Sequence, residues 1–152
     1  MSSMRKTIRD AVKNAVVASE VVGNNVFTGR NDAIPENRLP AVCVYLGEEK
    51  IEPLSWDAEG RSFHVRQDLH VEAYTRKGPG EIVEERMDTL RDGIMTAVMS
   101  DATLAAAVLR VSPLGSQPDI DSEARTDIGS LTVTFDVEYI EARNINPESE
   151  VE

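Results

Sequence analysis

The side chains whose types could do chemistry are concentrated in one stretch, Phe63–Tyr74, where His64, Asp68 and His70 sit at even spacing. In an extended chain successive side chains alternate, so these three share one face and suggest a metal-binding or acid–base set. The distances argue against it. From His64 to His70 a strand covers about 20 Å at roughly 3.3 Å per residue, so one ion cannot reach both imidazoles. Solvated or interface residues are the better reading. No nucleophile elbow, helical metal motif or phosphate-cradling glycine loop surrounds the serines and aspartates. The single cysteine, Cys43, excludes an internal disulfide and a multi-cysteine zinc site within one chain, and reads as a small core residue. Nothing in these residues calls for an enzyme, a metal or a cofactor.

The elements that would position them follow from periodicity. Leu39–Gly47 is a short unbroken apolar run opened by Pro40 and closed by glycine, which predicts a buried central strand. In Phe63–Tyr74 the residues Phe63, Val65, Leu69, Val71 and Ala73 alternate with polar ones, and only Gln67 breaks the apolar side. The two strands should form an antiparallel hairpin with a long tip, Glu48–Arg61, carrying the sole tryptophan. Leu131–Tyr139 alternates most clearly of all, and Val108–Leu114 reads as an edge strand because it contains a proline. Gly115–Thr126 reads as a loop.

Helical spacing predicts α-helices over Met4–Ser19, capped by Ser2 or Ser3, and over Glu81–Met99, with Asp101 able to cap a short helix through Ala102–Ala107. Gly93 should weaken the second helix by roughly 1 kcal/mol relative to alanine. The expected fold is α/β (α+β): a single mixed or mainly antiparallel sheet of four to five strands with two main helices on one face. One domain over residues 1–143 and a mobile acidic tail over 144–152 complete the expectation.

Charge bounds the partners. The chain of 152 residues carries a net −11, which argues against a grip on nucleic acid. Residues 1–30 hold five Lys/Arg against two Asp/Glu, so the head stands at +3 and the remainder at −14. Arg5, Arg9 and Lys13 share one face of the first helix and are candidates for contact with an acidic partner or another copy. Leu54, Ser55 and Trp56 form a second candidate contact, since an apolar tip on a polar loop is buried only by a partner or by folding back. No apolar run approaches a membrane span and the first residues lack a signal-peptide core, so a cytoplasmic chain is expected.

The ordered series Val26–Arg30, Leu39–Leu46, Leu69–Tyr74 and Val98–Asp101, closed by Leu131–Tyr139, resembles the lambda-like phage tail terminator proteins over roughly residues 1–141. The tail after Asn144 and the tip Glu48–Arg61 are where the sequence departs. The resemblance implies a homohexameric ring, assembled in the host cytoplasm, that caps the tail tube at the head–tail junction. Its partners would be itself, the major tail tube protein and the head–tail connector protein, with DNA passing through but not specifically bound, and no membrane. On that implication Asp68, Glu72, Asp136 and Glu138 are candidates to face the lumen, against ordinary solvent exposure. Other readings remain open: another head–tail joining or tail completion adaptor, an acidic regulatory or nucleic-acid-mimicking domain, or a hydrolase with a pocket.

Overall fold

The computed structural model describes residues 3–29, 40–56, 61–76, 82–120 and 128–143. Helix α1 (Met4–Ser19) begins where Ser3 Oγ accepts from the Lys6 amide, and ends where Glu20 turns into the left-handed region at φ 61°. A short strand β1 (Val26–Thr28) leads to the long strands β2 (Ala41–Trp56) and β3 (Arg61–Arg76). Helix α2 (Val83–Met99) and the short α3 (Ala102–Ala107) follow, α3 capped by Asp101, whose carboxylate accepts from the Leu104 amide at 2.8 Å. Strands β4 (Arg110–Ile120) and β5 (Ile128–Arg143) close the fold.

The five strands form one mixed sheet in the order β1-β2-β3-β5-β4, with β1 parallel to β2 and every other pair antiparallel. The expected α+β class is what the chain adopts. The alternation in β3 and β5 puts Val65, Leu69, Val71, Val133, Phe135 and Val137 on one face, against Ile8, Val12 and Val16 of α1 and Leu90 and Ile94 of α2. Burying each such side chain contributes about 1.5–3 kcal/mol, which makes this cluster the main source of stability.

Three expectations need correction. The supposed loop tip Glu48–Arg61 is mostly strand: β2 continues to Trp56 and β3 starts at Arg61, leaving only residues 57–60 outside the description. The supposed loop after Leu114 is strand as far as Ile120. Both segments read as loops because they lie at sheet edges, where polar residues and Pro53, Pro113 and Pro118 are tolerated on the side that owes no ladder bond. Helix α2 starts at Val83 rather than Glu81. The connector 30–39 and the tail 144–152 lie outside the described residues. Gly93 earns its place by contact: a Cβ there would lie 2.7 Å from Val21 Cγ2.

Candidate functional site

With the helices on one side, the other face of the sheet is free of them among the described residues and carries all four acids singled out above. Register explains the grouping, because Asp68 pairs with Asp136 and Arg66 with Glu138 on neighbouring strands. These acids are not four free charges. Asp136 is only 5% exposed and accepts from Arg66 Nη2 at 2.9 Å, while Arg66 Nε lies 3.5 Å from Glu138. The hydrogen bond to Asp136, and then the charges of both acids, push the Arg66 pKa up, so the guanidinium stays charged throughout. Glu138 also lies 3.4 Å from His64 Nε2. Glu72, 8% exposed, accepts from the Tyr74 hydroxyl and, at 3.1 Å, from Thr132 Oγ1. Asp68 is half-buried on the same face.

His64 and His70 are held apart. His70 Nδ1 lies 3.0 Å from Thr134 Oγ1 and its ring tilts against Tyr45 at 5.1 Å between centroids, whereas His64 belongs to Glu138. Among the described residues no group of three or more His, Cys, Asp or Glu is placed to hold a metal ion. No helix among them is long and apolar enough to cross a membrane.

The break in the apolar pattern at Gln67 turns out to be a joint. Between Leu46 and Glu49 the β2–β3 ladder shifts register, which would leave carbonyls facing the core. Fully buried Gln67 answers them, its Nε2 donating to Gly47 O at 3.0 Å and Glu48 O at 3.1 Å. Its Oε1 accepts from Arg5 Nη1 at 2.8 Å, and the same nitrogen donates to Glu49 Oε2 at 2.9 Å. On the opposite side of the bulge the His70 ring closes in so tightly that a Cβ on Gly47 would lie 2.4 Å from Nε2. Pattern-breaking was the only sequence signal for this joint.

Of the helix cations, then, Arg5 is engaged within the chain. Lys6 pairs with Asp10 at 2.6 Å, and Arg9 and Lys13 are partly exposed with no ion pair to another described residue. The other candidate contact lies at the far end of β2, where Leu54 is exposed; the backbones of Ser55 and Trp56 pair with Ser62 and Arg61, and their side chains lie outside the described structure. β2 continues past Glu49, where Arg5 of the first turn of α1 meets it. At its base Met4, Arg5, Ile51, Phe63 and Tyr139 line a groove of about 370 Å³. Burial first, then the charges of Glu49 and Glu141, push the Tyr139 pKa up. The structure thus offers a polar sheet face rich in carboxylates and an apolar-edged arm.

A family model described as phage minor tail protein U matches residues 3–139. No curated protein matches the chain. Among solved structures, a chain titled "Virion of native gene transfer agent (GTA) particle" is similar at 18% identity and a TM-score of 0.47, covering 88% of this chain and 94% of that one.

Proposed function

The chain belongs to the phage minor tail protein U family and is a structural protein of the virion tail, and from that premise we propose that it is a tail terminator: a ring of six copies that caps the finished tail tube, stops its growth and presents a surface to the head connector. The observation that carries this reading is the family match across nearly the whole fold. The sheet supports it physically. One face is committed to the core, and the other gathers Asp68, Glu72, Asp136 and Glu138 on two long neighbouring strands, β3 and β5.

On this reading the helix-free face turns toward the lumen. Its acids repel phosphate, and Arg66 is tied to Asp136 and Glu138, which weakens its pull on passing DNA. Arg9 and Lys13, together with the arm end Leu54, Ser55 and Trp56, are left to meet neighbouring subunits or the tube. The test is solution mass by light scattering over a concentration series, alone and with tail tubes. Six times the 16.7 kDa of one chain supports the reading. A chain that stays monomeric in both settings overturns it.

A further inference from the structure

Two exposed apolar patches lie at opposite edges of the sheet. On the β2 edge Ile51 is 56% exposed. On the β4 edge Leu109 is 63% and Met99 45% exposed, beside a small groove lined by Val98, Ala105 and Val111 on the helix side. The register places the two patches at nearly the same height. Ile51 pairs with Val65, and Val65 with Tyr139; Arg110 pairs with Glu138, whose carbonyl also accepts from the Leu109 amide at 2.8 Å. Across the sheet the offset is therefore about one residue, or about 3.3 Å along the strands.

Resting on the ring reading, we propose that copies of this chain join edge to edge, Ile51 of one packing against Leu109 and Met99 of the next. Two observations fit a second copy in particular. The patches differ, so the contact is heterologous, and an offset of about one residue is small enough for side chains to absorb, which lets repeated contacts close without a rise along the strand axis, as a ring requires and a filament does not. Strand directions also match: β2 and β4 run antiparallel, so a neighbour's β2 beside β4 continues the alternation of the sheet. By register the β2 residue level with Arg110 on the helix-free side is Lys50, so this row of the contact brings like charges together and costs affinity. Beyond Val42–Val44 the edge of β2 has no partner strand among the described residues, while Pro53 and Pro113 remove ladder donors and confine any backbone pairing to a few residues.

The test uses the full chain with Ile51→Asp and Leu109→Asp, each at an exposed position, with melting curves to confirm folding. Each variant alone should raise the concentration at half-assembly by more than about tenfold. Mixed together, the two retain one intact edge each and should form one-to-one dimers that grow no further. Lys50→Glu, which sets an acid level with Arg110 of the next copy, should lower the concentration at half-assembly, and adding Arg110→Glu should abolish that gain. Wild-type rings accompanied by equally stable variant rings overturn this contact while leaving the ring reading intact; so do variant rings that fail only on tail tubes, which would assign the patches to the tube protein. A wild-type chain that never assembles overturns the ring reading itself.

Discussion

Arg5 and Gln67, 62 residues apart, meet at 2.8 Å between Nη1 and Oε1, and through this bond the first turn of α1 is fastened to the bulge of the central hairpin. The helix, the bulge carbonyls and Glu49 form one connected unit, so the arm beyond the bulge takes its direction from the helix layer.

Gln67→Leu should cost about 1–3 kcal/mol, because it leaves the Gly47 and Glu48 carbonyls buried without their side-chain donor. Arg5→Ala should cost less, about 1 kcal/mol, since its side chain is 40% exposed and its bonds are partly replaced by water. Urea denaturation of both variants gives the order. Equal stability of Gln67→Leu and wild type would contradict the role assigned to the joint.

Gly47→Ala should destabilise the chain through contact with the His70 ring. Overpacking of this kind costs about 1–3 kcal/mol. Gly47→Ala made in a His70→Ala background should recover most of that loss, and the double-mutant cycle measures the coupling directly.

Gly93→Ala pits two effects against each other. Helix propensity favours alanine by about 1 kcal/mol, whereas the new Cβ meets a methyl of Val21, a β-branched side chain with little freedom to turn away. The clash should win, giving a net loss of about 1 kcal/mol. In a Val21→Ala background the sign should reverse, and melting temperatures of the four variants decide it.

Stability should fall at both extremes of pH, for separate reasons. Tyr139 is held neutral to higher pH in the folded chain than in the unfolded one. As pH rises above about 10 the unfolded chain releases this proton first, so stability is full below that pH and lost as pH climbs through the folded pKa. Tyr139→Phe should remove this part of the alkaline slope. Asp10 moves the other way: its bond to Lys6 holds the carboxyl below the usual range, so its contribution is present at neutral pH and lost as pH falls through the folded pKa. Asp10→Asn should flatten that part of the acid limb, and added salt should shrink it, because the pair is exposed.

Where one face of an element is fully apolar, the sequence makes its place plain. Helix α1 occupies the span its 3.6-residue pattern marks, and Leu131–Tyr139 lies within β5. Residues 48–56 and 115–120 carry no such alternation, since an edge strand with solvent on two sides has no reason to alternate, and both read as loops. Grouping of Asp68, Glu72, Asp136 and Glu138 on one face follows from parity alone. Burial of Glu72 and Asp136 does not, because it depends on Tyr74, Thr132 and Arg66 folding over them, contacts made across strands or two residues along one. Gln67 announced itself only as an exception; its partners Arg5 and Gly47 lie 62 and 20 residues away.

Tail termination is tested most directly by the length of tubes. Tail tube subunits polymerised in the presence of this chain should give short tubes, each with a ring at one end in electron micrographs, their mean length falling as the chain is added. Tubes of unchanged length with bare ends, at concentrations where the chain is folded and in excess, would contradict the account.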